Sequence, residues 1–354
     1  MGPDLLRSMR APSLAMLLAR SQLDRAQQFD AFARALPHEQ WLSAALSSAS
    51  DVTIDAEQSN SAPMAVHMLA QFESAPNVGT WFILQPVHLH VARDHLVLTD
   101  LRRLALDENE SRQLFAVAQT VCADYGHTVV YGDAMTWFLR ADAWHDLRTA
   151  TPDAACGHNI DIWMPTGSNE RAWRKLQNEI QMHWHESPVN QLRQSAGKNP
   201  VNSVWLWGGA QAGHPSPLHR YQQGFSSDEM RQYVGAIAQH QHVLTDRVGA
   251  VTTAITTAAT TAITPAVTTG NTTTLVVIDN LIAPALAEDL GEWLLRINAM
   301  EDEEFAPLLA AIRSGTVEQC RLVLTNGSSL QERVINRTAL RKFWQTPSLS
   351  ALLA

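Results

Sequence analysis

Apolar residues recur at helical spacing at the start of the chain, at Leu5, Met9, Leu14, Leu17 and Leu18, and again at Trp41, Ala44 and Leu46. This spacing predicts helices over residues 1–49. Residues 50–64 are polar and turn-rich, and read as a loop. From Thr80 the period changes. TWFILQPVHLHV predicts a strand with Pro86 at a bulge or edge, and DHLVLTDL a second strand after a turn at Arg93–Asp94. Asp107 with Glu110 three positions on is a capping-box signature. The helix it starts runs through LFAVAQTVCADY and ends at Gly126. HTVVYG and MTWFLRA read as paired strands, 149–159 as a loop, and Asn169 to His185 as a long helix closed by Pro188. VNSVWLW is an apolar strand ending at Gly208–Gly209.

Residues 252–274 hold 12 threonines and no charge. They read as a tether or surface insertion, or else as an irregular, aggregation-prone strand region. Beyond them, LVVIDNLI predicts a strand, EDEEFAPLLAAIRSG a helix, EQCRLVLTNG a strand and TALRKFW a terminal helix. The pattern predicts an α/β fold. It would have a mixed sheet with flanking helices, a helical N-terminal segment and a low-complexity Thr-rich insertion. Four segments follow: a helical 1–60, an α/β domain over 61–245, a linker over 246–274, and an α/β segment over 275–354 that completes the fold.

Hydrophobic residues make up 45% of the 354 and charged residues 17%, enough apolar side chain for a core, so global disorder is excluded. The net charge of −9 argues against nucleic acid or a membrane as partner. No stretch reaches the roughly 18 apolar residues of a membrane span. Residues 1–32 read as an amphipathic helix rather than a secretory leader. Cys122, Cys156 and Cys320 are widely spaced, which predicts a reduced, cytoplasmic protein.

Chemistry-bearing patterns are sparse. His88/His90, His183/His185 and His240/His242 are H-x-H pairs. Only on a strand would such a pair share a face, and satisfied or exposed histidines are the alternative to a metal. No nucleophile elbow, P-loop or dinucleotide motif is present. Cys122 reads as a buried thiol. Seven of the 11 tryptophans fall between Trp137 and Trp207, as a core or as a stacking platform. No catalytic residue, metal site or cofactor is expected. One stretch stands out, from Pro188 to Gly209. It sets Asn190, Arg193, Lys198, Asn199 and Asn202 around Gly197 before an apolar strand. Two cations and three amides on a loop suit an anion. In the alternative, the asparagines cap turns and Arg193 pairs with a nearby carboxylate.

This stretch resembles a motif of the archaeal-type, cofactor-independent phosphoglycerate mutases, H-P-V-N-x-x-R-x-x-x-G-x-x-P-A-N before W-L-W-G. Pro188, Val189, Asn190, Arg193, Gly197, Pro200, Asn202 and Trp205 to Gly208 match it. Thr149 to Pro165 is similar to the family's T-P-P-H-D segment. A closer resemblance is to the RpfE-type regulatory proteins of bacteria. It rests on Pro86–Leu89, Asp94–Leu98, Trp173, Leu176, Asn178, Glu179, Gln181, Met182, Asn202 to Gly209, and Phe305 to Arg313. Ser187 stands where the pattern has His, and Ala210 where it has Gly. The mutase resemblance implies a nucleophile and two metals held by Asp and His. Yet the chain has no D-x-x-D-H and no histidine after His242. The resemblance therefore implies a non-catalytic regulatory protein that binds a small phosphorylated or acidic metabolite and a protein partner. A mutase-like enzyme is the alternative.

Overall fold

The computed structural model describes residues 3–45, 59–72, 78–213, 220–228, 230–244, 249–255 and 273–353. The chain is mixed α/β and divides into two units. One is Asp30–Leu218. The other joins Met1–Phe29 to His219–Ala354.

The Asp30–Leu218 unit is built on an antiparallel sheet whose strands lie in the order Thr128–Asp133, Thr136–Arg140, Thr80–Val87, Ser203–Gln211. Thr80–Val87 has neighbours on both sides and is buried along nearly its whole length. That is why it reads as a continuous apolar run rather than an alternation. The expected strand TWFILQPVHLHV breaks at His88 into this sheet strand and a separate hairpin, Leu89–Ala92 with His95–Leu98. The hairpin turns at Arg93, whose φ is 57°.

Two helices cover the sheet. Glu108–Asp124 begins with the expected box: Asp107 accepts from the Glu110 N–H, and the Glu110 carboxylate accepts from the Asp107 N–H. Glu170–His185 buries Trp173, Leu176, Gln177, Ile180 and Trp184, a stripe at three- and four-residue spacing. Gln177 donates to the Val204 carbonyl, and Gln181 to the Ser203 hydroxyl. These bonds satisfy polar groups of the outer strand, which has a sheet neighbour on one side only. Trp137, Trp173, Trp184 and Trp205 are fully buried, and Trp137 meets Trp184 edge-to-face at 5.9 Å. These tryptophans form the core of the unit rather than a stacking platform.

In the other unit, Pro12–Arg20 is helical and buries Leu14, Leu17 and Leu18. Gln22–Gln28, expected to be helical, is instead a strand antiparallel to Ser329–Asn336, with Gln319–Thr325 beyond it. QLDRAQQ has no apolar stripe to bury as a helix, and the ladder supplies partners for its backbone. The expected strand LVVIDNLI is ordered as a strand only over Thr274–Val276, parallel to Tyr221–Ser226. The expected terminal helix is a single 3₁₀ turn, Ala339–Arg341.

The acidic EDEEF segment makes a π-helical turn, Glu301–Phe305, ahead of helix Ala306–Ser314. Its two buried acids have defined duties. Glu301 accepts from the backbone N–H groups of Ser13 and Leu14, and Glu304 from those of Ala250 and Val251. Each carboxylate thus satisfies orphan donors in the first turn of another helix. Residues 256–272 of the Thr-rich stretch lie outside the described residues. Among the described residues, no helix is long and apolar enough to cross a membrane.

Candidate anion cleft

Pro188 does more than end the preceding helix. It opens another, Pro188–Ser195, at a position where its fixed φ fits and its missing N–H costs nothing. Asn190 and Arg193 therefore stand on a helix rather than on the expected loop. Asn190 is buried. Its Nδ2 donates to the carbonyls of Trp184 (2.9 Å) and Val201 (2.8 Å), and its Oδ1 accepts from the Val201 N–H (2.8 Å).

Arg193 is only 1% exposed, and each of its nitrogens has a protein partner. Nε donates to the Asn199 carbonyl at 2.9 Å, one terminal nitrogen to Glu110 at 2.5 Å, and the other to the Leu104 carbonyl. Asn202 binds Leu89 through both backbone groups, at 2.8 and 2.7 Å, as a neighbouring strand would. Of the five residues singled out in the sequence, Asn190, Arg193 and Asn202 thus turn inward. Lys198 and Asn199 stay exposed.

Lys198 stands on a cleft of about 500 Å³. His90 and Thr99 line it from the hairpin side, Arg103 and Leu104 from the turn after it, and Lys198 and Asn199 from beyond helix Pro188–Ser195. No carboxylate is among the lining residues. Arg103 and Lys198 make no ion pair or side-chain hydrogen bond among the described residues. The neighbouring Arg102 differs: it is taken by Asp100 and, through two nitrogens, by Asp153.

The inward residues organise this cleft. Arg193 ties the carbonyls of Leu104 and Asn199, which come from two different walls. Asn202 fixes Leu89, the residue before His90. The stretch that drew attention in the sequence therefore supplies one wall and the supports of the cleft. Arg103, His90 and Thr99 complete it from some hundred residues earlier. In the sequence, His90 shows as half of an H-x-H pair, and Arg103 only through the tandem Arg102–Arg103 just after a strand.

His88 and His90 are close, with ring centroids 6.5 Å apart, but they do not act alike. Nδ1 of His88 lies 2.8 Å from the Pro200 carbonyl, and desolvation holds its pKa below the ordinary value. The neutral ring then donates from Nδ1, and only His90 faces the cleft. Cys122 is buried, and desolvation pushes its thiol up to about 12, which makes it inert as a nucleophile.

No protein-family model matches the chain. Over 84 residues it is 30% identical to a 2,3-bisphosphoglycerate-independent phosphoglycerate mutase of Methanosarcina mazei, covering 24% of this chain and 19% of that protein. Over 142 residues it is 26% identical to a probable mutase of the same kind from Geobacter sulfurreducens, covering 39% and 35%. The matches thus span between about a fifth and a third of these relatives' length. Among solved structures, the PH0037 protein of Pyrococcus horikoshii aligns with 94% of this chain and 81% of its own, at 10% identity and a TM-score of 0.50. The cofactor-independent phosphoglycerate mutase of Thermoplasma acidophilum aligns at 12% identity with a TM-score of 0.42, over 100% and 91%. The chain is, over part of its length, distantly similar to phosphoglycerate-mutase-like proteins.

Proposed function

We propose that the chain is a non-catalytic, cytoplasmic regulatory protein, of the RpfE type its sequence resembles, whose Asp30–Leu218 unit binds a small phosphorylated or acidic metabolite. One observation carries this reading: Arg103 and Lys198, two cations that make no ion pair or side-chain hydrogen bond among the described residues, face one cleft whose described lining holds no carboxylate. Cations are normally kept apart or paired, so two left open together favour an anionic guest. Arg103 supplies a planar fork for two oxygens and Lys198 a point charge. The metabolite's effect would be passed on by contact with a protein partner.

Titration calorimetry with 3-phosphoglycerate as probe tests the site. Replacing both Arg103 and Lys198 by alanine should weaken binding at least about tenfold, because charge-assisted hydrogen bonds contribute roughly 1.5–3 kcal/mol each. Binding to the wild type should also weaken as salt rises. Undiminished binding by the double variant would remove the cleft from the account.

Distant similarity to mutases favours a second reading, a mutase-like enzyme. Interconversion of 2- and 3-phosphoglycerate, assayed with added manganese or cobalt, separates the two. We expect no turnover, because the sequence lacks D-x-x-D-H and offers no histidine beyond His242.

A further inference from the structure

Away from the cleft, two chain segments bring three ionisable groups together. His38 and Glu39 lie in the first turn of helix Pro37–Ala44. Asp153 lies in the short helix Pro152–Ala155. One donor atom from each of the three falls within 4.8 Å of the others. Glu39 is 3% exposed, and one of its oxygens accepts from the Thr151 hydroxyl (2.6 Å) and the Leu36 N–H (2.7 Å). Asp153 is held by Arg102 through both oxygens, at 2.9 and 2.6 Å. The half-buried His38 has no hydrogen-bond partner among the described residues.

We propose that His38, Glu39 and Asp153 form a zinc site. Charge supports it. Asp100 and Asp153 share a single guanidinium, Arg102, which leaves an excess of negative charge beside the buried Glu39 carboxyl that a cation offsets. Distance supports it too. An ion at the centre of a triangle of side 4.8 Å lies about 2.8 Å from each corner, so each side chain need close by less than about 1 Å to reach the ~2.0–2.2 Å of zinc bonds. The donor set, one imidazole and two carboxylates with a position left for water, suits zinc.

With no hydrogen bond among the described residues, the His38 ring has a nitrogen available to a cation. Thr151 and Arg102 then act as the outer groups that orient the ligating carboxylates. Such an ion would lock the start of helix Pro37–Ala44 to the Asp153 segment. Through Arg102 it would also steady the turn that carries Arg103.

The test uses the full chain, stripped with chelator and titrated with zinc chloride. The wild type should take up one zinc with an accompanying rise in Tm. His38→Gln and Glu39→Gln should each bind zinc at least about tenfold more weakly. A variant with His183 and His185 both replaced by alanine should bind as the wild type does. Glu39 is buried, so should Glu39→Gln fail to fold, His38→Gln decides alone, because that ring has no hydrogen bond to lose. No stoichiometric zinc on the wild type, or unchanged affinity in His38→Gln, would overturn the proposal.

Discussion

Replacing Arg193 with alanine should destabilise the Asp30–Leu218 unit by about 3–5 kcal/mol, the usual cost of removing one partner of a buried ion pair. Three groups lose their donor at once. Glu110 keeps only its capping bond to the Asp107 N–H, and the Leu104 and Asn199 carbonyls lose the guanidinium that joins them. Lysine should recover little, since one ammonium cannot fork to partners on three segments. Urea unfolding followed by tryptophan fluorescence reads the effect directly, because Trp137, Trp173, Trp184 and Trp205 are buried in this unit. A loss below about 1 kcal/mol would mean that the Arg193 network is not what holds the cleft walls together.

Glu39 should make the metal-free protein lose stability as pH rises toward 8. Burial, with the Asp153 charge beside it, pushes the Glu39 carboxyl up to about 8 from an ordinary value near 4.5. The folded chain therefore holds a proton that the unfolded chain releases. That stability is complete below 4.5 and is lost as pH climbs through 8. His38 has the opposite sign. Desolvation lowers it from 6.5 to about 4, so its contribution is present above 6.5 and is lost as pH falls through 4. The two slopes oppose each other between 4.5 and 6.5, and Glu39 acts alone from 6.5 to 8. Over that interval one proton corresponds to about 2 kcal/mol. Glu39→Gln keeps an acceptor for Thr151 and has no proton to lose. Its stability in the presence of chelator should be nearly flat from pH 6.5 to 8. A wild type equally flat there would show that Glu39 ionises normally in the fold.

Much of the local architecture was legible because it depends on neighbours in sequence. The Asp107–Glu110 box, the Glu170–His185 helix with its tryptophan stripe and the apolar run of Thr80–Val87 all follow from side-chain periodicity and capping chemistry. Gln22–Gln28 was not legible, because a polar strand takes its conformation from the strand it pairs with, and that strand lies some three hundred residues away. The same limit applied to the cleft. The stretch from Pro188 to Gly209 could be recognised as chemically unusual, but not which of its side chains faced outward.

The α/β character, the elements of the four-stranded sheet and the grouping of cations and amides around Gly197 follow from residue order alone. The direction of each of those side chains is set by contacts between distant segments. Glu110 lies 83 residues from Arg193 and Leu104 lies 89, and a guanidinium with such partners within reach is drawn inward. Arg103 and Lys198, which have no carboxylate partner among the described residues, remain at the surface. A buried charge needs its partners in three dimensions, and their separation along the chain carries no local pattern from which the pairing could be read.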